Sequence, residues 1–322
     1  MSAQSIAAGR SSKPKRVSVF PNMKSVAKIP VANGVWPKVT LVSVCSGEGE
    51  ELRDTERSVV GQSYPNLEYV VVGIGEGLGR SSFLREFQGR FCWMDCADAT
   101  EANAALNAAF AKTSGEIMGW LEPGEMLHTK GLYALGSVMA AFPEVEWIYG
   151  RPFNFSPSGI PAGIKPLERW SRIRFLAGGN KYIHRETLFW RRSLWERAGG
   201  KLNAELGVAA EFEMFVRFFR HAQLYSVDAL IGGYRVHPGN HSTDGSHQRY
   251  NDAIDAIADR ELASVKGAYA AKLFRQMTKI TSRIPRVRNY WHRYAMKCIY
   301  RCPGPDRPPK IVAFGDEWFV KR

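Results

Sequence analysis

The 322-residue sequence has no run near the roughly 18 consecutive apolar residues that a membrane-spanning helix needs. Its first residues, MSAQSIAAGRSSKPKR, lack an apolar h-region, so no secretory signal is expected. Cysteine is scarce: the five present are scattered and odd in number, which suits a reducing cytoplasm better than a disulfide framework. Cys92 and Cys96, like Cys298 and Cys302, form C-x₃-C pairs without a matching second pair, so they read as core or surface cysteines and not as zinc ligands. Glycines follow the early apolar segments but miss the dinucleotide-binding fingerprint. CSGEGEEL lacks the third glycine of G-x-G-x-x-G, and GIGEGLGRS places Gly73, Gly75, Gly77 and Gly79 at every second residue. There is no G-x-S-x-G elbow to support serine hydrolysis, and no internal repeat.

What is present is the composition of a soluble globular chain, 45% hydrophobic and 23% charged, long enough for one large domain with extensions. The net charge of +13 suggests nucleic acid until it is located. Residues 1–38 carry +7 and residues 266–322 carry +11, while the remaining body is mildly acidic at −5. A nucleic-acid reader concentrates its basic residues on the folded domain. Basic ends on an acidic body instead predict an anionic surface, such as a membrane, touched by the tails, and no nucleic-acid partner.

From Pro37 the pattern becomes regular. KVTLVSVC (38–45), LEYVVVG (67–73), RFCWM, EIMGWL and VEWIYG read as buried strands. Between them lie helical patterns, among them Leu52, Thr55, Val59 and Val60 on one face, a short helix near 80–88, and helices over 100–113 and 129–141. Strands that alternate with helices and run almost continuously apolar predict an α/β fold with a mostly parallel central sheet flanked by helices. Further on, 165–180 reads as a helix stopped by Gly178-Gly179. Residues 205–223 read as a stronger helix, with Val208, Phe212, Phe215, Val216 and Phe219 on one side.

One stretch concentrates the chemistry. GEIMGWLEPGEML (115–127) is an apolar strand that ends in a tight Pro123-Gly124 turn with Glu122 and Glu125 on either side. Ligands of parallel sheets bind at the carboxyl ends of the strands, where these acids lie. The pair is either a solvated corner or a metal site.

The order of segments resembles the family 2 glycosyltransferases of the GT-A fold. The resemblance is carried by PKVTLVSVCSGEGEELRDTERSVVGQSYPNLEYVVVG, ALNAAFAKTSGEIMGWLEPGEML, AGGNKYIHRETLFWRRSLWERAGGKLNAEL and YRVHPGNHST, and covers about residues 37–245. It implies an enzyme of hexosyltransferase type, moving a sugar from a nucleotide-sugar donor to an acceptor hydroxyl, with inversion, in glycan or cell-surface polysaccharide synthesis. It further implies that acids at the end of the fourth strand hold Mn²⁺ or Mg²⁺ on the donor diphosphate. Glu122 and Glu125 match those positions, and Gly124 stands where the family has another acid, so a weakly bound metal is expected. His237 falls where the family has a residue near the diphosphate and is a further candidate ligand. Cys45, Glu48, Glu76, Asp98, Asn107 and Trp120 are the implied donor-binding residues. The family's acidic loop after the second strand is here GIGEGLGRSS, so Glu76 or Asp98 would serve the nucleoside. The family's Asp-Tyr-Asp-Leu-Trp-x-Arg pattern matches EFEMFVR, which makes Glu211 the implied general base; as a residue on a helix, its alternative is a surface ion pair. Because expected aspartates are replaced by Glu or Gly, a non-catalytic homologue that binds a sugar nucleotide or a partner is the alternative function.

Outside the resemblance, Tyr269, Leu273, Met277, Ile280, Ile284, Val287, Trp291, Tyr294 and Cys298 recur at steps of three and four, with Lys and Arg between them and Pro285 expected to kink the run. Such a basic amphipathic segment (266–301) suits an anionic membrane surface, or else packs onto the body. The expected layout is a disordered basic tail (1–36), a GT-A-like domain (37–245), a helical extension (246–302) and a C-terminal tail (303–322). The expected location is cytoplasmic, peripheral at the inner membrane face, with a glycan or lipid-linked acceptor.

Overall fold

The computed structural model describes residues 24–28, 35–47, 49–75, 91–96, 101–177, 183–236, 246–265, 269–281, 309–314 and 317–321. In chain order its elements begin with β1 (Lys24–Lys28), β2 (Val39–Cys45), α1 (Glu50–Val60), β3 (Leu67–Ile74), β4 (Phe91–Cys96) and α2 (Ala102–Ala111). Next come β5 (Ile117–Leu121), β6 (Met126–Leu127), α3 (Gly131–Ala141), β7 (Trp147–Phe155), β8 (Pro161–Ile164) and α4 (Arg172–Leu176). The chain continues through β9 (Leu188–Arg191), α5 (Arg192–Arg197), α6 (Ala210–His221) and β10 (Tyr225–Arg235). It closes with α7 (Ser246–Ser264), α8 (Tyr269–Thr281), β11 (Lys310–Phe314) and β12 (Glu317–Lys321).

The strands form one sheet in the order β1-β12-β11-β10-β7-β9-β5-β2-β3-β4. It is parallel through β4-β3-β2-β5 and again through β7-β10-β11, and β9 joins the two runs antiparallel to both β5 and β7. The α/β class and the mostly parallel centre expected from the sequence therefore hold. β2 and β5 are buried almost throughout, because helices cover both faces of the sheet.

One face packs under α2, α4, α6 and α7, around Trp120, Trp147, Trp190, Phe110 and Phe218; the other packs under α1 and α3, around Leu52, Val59, Leu135 and Phe142. Each fully buried Leu or Phe of this kind contributes roughly 1.5–3 kcal/mol of transfer free energy. A carboxylate ties the strand starts together. Glu68 on β3 accepts from Lys38 Nζ (3.0 Å), Thr40 Oγ1 (2.6 Å) and the Ser114 backbone N–H (2.9 Å).

Three expectations are corrected, and a fourth falls outside the described residues. The helix expected over 165–180 is confined to Arg172–Leu176, where Ser171 Oγ caps it by accepting from Arg174 N–H; residues 165–171 are irregular, and 178–182 lie outside the described residues. The helix expected from 205 begins at Ala210, because the chain kinks at Gly207 (φ 50°, ψ −124°). Val208 consequently leaves the apolar face and is 74% exposed. The tails also contain strands: β1 pairs antiparallel with β12, and β11 extends the sheet in parallel from β10. The helix expected near 80–88 lies outside the described residues.

In the expected extension, α8 turns Ala271 and Arg275 inward. Arg275 donates to Asp259 Oδ1 (2.7 Å), to Asp255 Oδ1 (3.2 Å) and to the Leu176 carbonyl (3.1 Å). Tyr269 and Leu273 face outward, 80% and 59% exposed. The rest of the basic segment, 266–268 and 282–301, lies outside the described residues, and among those described no helix is long and apolar enough to cross a membrane.

Candidate active site

The site is built from the end of β5. Residues Glu122-Pro123-Gly124-Glu125 close a turn through Glu125 N–H donating to the Glu122 carbonyl (3.0 Å). Pro at the second position and Gly at the third is the type II signature, and Gly124 has φ +93°, in the left-handed region that favours glycine. The departure from an acid at this position thus has a backbone reason.

Helix α1 pins the turn. Thr55 Oγ1 accepts from Gly124 N–H (3.0 Å) and donates to the Glu125 carbonyl (2.8 Å). One turn further, Ser58 Oγ accepts from Leu127 N–H (3.1 Å), and Gln62 donates to the His128 carbonyl (3.0 Å) while accepting from Leu132 N–H (3.1 Å). Positions 55 and 58 lie one turn apart on α1, and Gln62 follows just past its end, so this side of the helix and its exit together hold residues 124–132.

A second wall comes from the 3₁₀ turn Arg185–Thr187, just before β9. It sits hard against β10, where a Cβ at Gly232 would lie 2.0 Å from the Glu186 carbonyl oxygen. The third wall is the first turn of α6, which carries Glu211. Between them lies a cavity of about 840 Å³, lined by Glu122, Glu125, Tyr149, Lys165, His184, Arg185, Glu186, Glu211 and Tyr234, among others.

Arg185 organises this cavity. Its guanidinium meets Glu122 Oε2 at 2.5 Å, donates to Glu125 Oε1 from Nε and Nη2 (3.1 Å each), and donates to Glu211 Oε2 from Nη1 (3.0 Å). Glu125 is buried, and its second oxygen accepts from Glu122 N–H (2.8 Å). Burial pushes the Glu125 carboxyl up to about 8, with Glu186 and Glu122 adding to the rise and Arg185 opposing it. Burial likewise raises Glu211 above the ordinary carboxylate range, against the pull of Arg185. Beside them, Glu186 is buried with Oε1 3.4 Å from His184 Nδ1, and the His184 ring stacks on Tyr234 at 5.0 Å.

Three of the residues singled out in the sequence, Glu122, Glu125 and Glu211, are thus brought to one point. Cys45 is buried at the carboxyl end of β2, its thiol 3.6 Å from the Val72 carbonyl. Asn107 is engaged elsewhere: its carboxamide donates to the Leu202 carbonyl (2.9 Å) and accepts from Leu202 N–H (2.8 Å). Trp120 lies in the aromatic core, 5.2 Å from Trp190 between ring centroids. Glu48, Glu76, Asp98 and His237 lie outside the described residues. Sequence reasoning missed Arg185, Glu186 and His184. Their signal is the polar run His184-Arg185-Glu186-Thr187 directly before the buried LFW of β9, where an ordinary strand entry has no need of three ionisable residues.

The donor set answers the needs of a divalent cation poorly. Hard cations take several carboxylate or carbonyl oxygens converging on one point. Here the oxygens that converge already share a guanidinium, and among the described residues no group of three or more His, Cys, Asp or Glu side chains is arranged to hold a metal ion. The described arrangement does not fit a divalent metal.

No protein-family model matches the chain, and no curated protein does. Solved structures do. The chain is similar to S. aureus TarS 1–349 in complex with UDP, with a TM-score of 0.53 at 11% identity over 81% of this chain and 87% of that one. It is similar to the same fragment in complex with UDP-GlcNAc, with a TM-score of 0.54 at 12% identity over 71% of this chain and 67% of that one. Against another crystal structure of S. aureus TarS the TM-score is 0.50 at 11% identity, and the match covers 71% of this chain but only 44% of that one. At such identities the likeness is one of fold, and the fold is that of the GT-A glycosyltransferases.

Proposed function

Taking the GT-A fold as the premise, we propose that this protein transfers a sugar from a nucleotide-sugar donor to an acceptor hydroxyl, with Glu211 as the general base. One observation carries the reading: an acidic turn at the carboxyl end of β5 and a carboxylate from α6 face the same cavity, about 840 Å³ in volume. That is the place where parallel sheets bind ligands, and the volume suits a substrate-sized molecule. The structural neighbours bound to UDP and UDP-GlcNAc support a nucleotide-sugar donor.

In this reading the nucleoside lies over the carboxyl ends of β2 and β3, beside Cys45, and Glu48, Glu76 and Asp98 are its further candidate contacts. Asn107 and Trp120 support the wall from behind, through Leu202 and the aromatic core. The diphosphate lies at the turn 122–125, and the acceptor enters on the side of Glu211, opposite the leaving group. Glu211 takes the hydroxyl proton as the oxygen attacks the anomeric carbon and the nucleoside diphosphate departs, a single displacement that inverts configuration. Burial raises its proton affinity, and a carboxylate of higher proton affinity is the stronger base. The acceptor is a glycan or lipid-linked sugar, and the protein works at the inner face of a membrane. Support for that location comes from Tyr269 and Leu273, apolar and exposed on α8 next to Lys272.

The test is incubation with UDP- and GDP-sugars and candidate acceptors, with product configuration read by NMR. An inverted glycoside supports the reading, and a retained one ends the single displacement. Nucleotide binding without turnover on any acceptor would favour the non-catalytic homologue.

A further inference from the structure

The diphosphate leaving group of such a transfer gathers negative charge and needs a cation. We infer that the resident cation of this site is Arg185, standing where a divalent metal would otherwise be held, and that the protein binds its donor without a metal ion. This rests on the nucleotide-sugar reading above and goes beyond it.

The argument begins with convergence. Glu122 and Glu125 come from the turn after β5, and Glu211 comes from α6, 86 residues further along in the numbering than Glu125. Their oxygens nevertheless meet on one guanidinium within 2.5–3.1 Å. Carboxylates drawn from separate segments to one point repel each other unless one of them is protonated or a positive charge stands between them. Here that charge is covalently part of the chain.

Arg185 is also held in place. Its turn is closed by Thr187 N–H (3.2 Å) and Thr187 Oγ1 (2.9 Å), both donating to the His184 carbonyl, and the following residue packs against Gly232. The side chain is therefore a fixture of the site and not a passing surface contact. Its planar fork keeps its charge at any working pH and suits phosphate oxygens as well as carboxylates. Of its five N–H groups, one on Nη1 is left without a partner among the described residues, in a group that lines the cavity. Lys165 lines the same cavity with no ion pair among the described residues, and supplies a second positive charge to a diphosphate.

The experiment is a titration of the nucleotide-free, full-length protein with MnCl₂ alone, following bound Mn²⁺ by electron paramagnetic resonance. Wild type is expected to show no stoichiometric site. Arg185→Gln frees the three carboxylates and should bind one Mn²⁺ at least about tenfold more tightly than wild type. Arg185→Lys keeps a charge at that point and should exclude the ion as wild type does. One Mn²⁺ held by wild type and lost in Glu125→Gln would overturn the inference, and so would an Arg185→Gln protein that gains nothing. Circular dichroism identifies a variant that fails to fold; the wild-type and Glu125→Gln titrations then decide alone. In a second arm, UDP and GDP binding to wild type is measured by calorimetry in EDTA and in Mn²⁺. Affinities within about twofold are expected, and a requirement for Mn²⁺ would overturn the inference. If neither nucleotide binds in either buffer, the nucleotide-sugar reading fails, while the Mn²⁺ titration still judges the role of Arg185.

Discussion

Replacing Thr55 by Val tests whether α1 holds the acidic turn. The swap keeps the branched shape of a fully buried side chain and puts a methyl in place of the hydroxyl. In the native site Gly124 N–H has a second acceptor, the Glu51 carbonyl at 3.2 Å, so it keeps a partner. The Glu125 carbonyl has none but Thr55 among the described residues. Stability should therefore fall by the cost of one unsatisfied buried acceptor, about 1–3 kcal/mol, seen as a Tm lower by a few degrees. Because the same turn carries Glu122 and Glu125, transfer should fall further than the unfolded fraction explains. Thr55→Ser, which keeps the hydroxyl, should preserve most of both. Urea unfolding alongside a transfer assay reads the two quantities. A Thr55→Val protein within about 0.5 kcal/mol of wild type would show that the hydroxyl does not hold the turn.

Gly124→Ala has room for its methyl, the nearest atom being Glu51 Oε2 at 3.7 Å, but must adopt φ +93°; a loss of about 1–2 kcal/mol is expected in urea unfolding, and no loss would mean the turn relaxes freely. Glu68→Gln should flatten the acid limb of stability. Burial would raise the Glu68 carboxyl, but hydrogen bonds from Thr40, Ser114 and Lys38 outweigh it and hold it below its ordinary value. The charged form is thus favoured by folding, and its contribution is complete above the ordinary carboxylate range and lost as pH falls through the lowered folded value. Wild type and variant should differ at neutral pH and converge in acid; parallel curves would refute this. Vesicles containing anionic lipid should retain the full-length protein at low salt and release it at high salt, and indifference to them would remove the membrane contact.

The first half of the fold was legible because its strands are buried on both faces and so run apolar in the sequence, as VTLVSVC and IMGWL do. Residues 165–171 misled because Trp170 is buried without belonging to a helix, so its apolar character mimics a helical face. Val208 misled because spacing cannot see the kink one residue earlier at Gly207. Strands β11 and β12 were hidden in a short basic tail, where pairing with β10 and β1 supplies the order that local pattern does not. In the site, the acids were visible as chain-end features of a strand and a helix. Their meeting on Arg185 was not, because it depends on three segments far apart in sequence.

The most direct measurement is the comparison of Glu211→Gln with wild type for donor binding and for transfer. The amide keeps the shape and removes the base. Donor binding should stay nearly intact while transfer falls by on the order of 10²–10⁴-fold. Glu213→Gln should do less, since Glu213 is paired with Arg217 (2.9 Å) and does not line the cavity. A Glu211→Gln protein that binds donor and transfers sugar at the wild-type rate would contradict the account, because no base would then stand where the cavity places one.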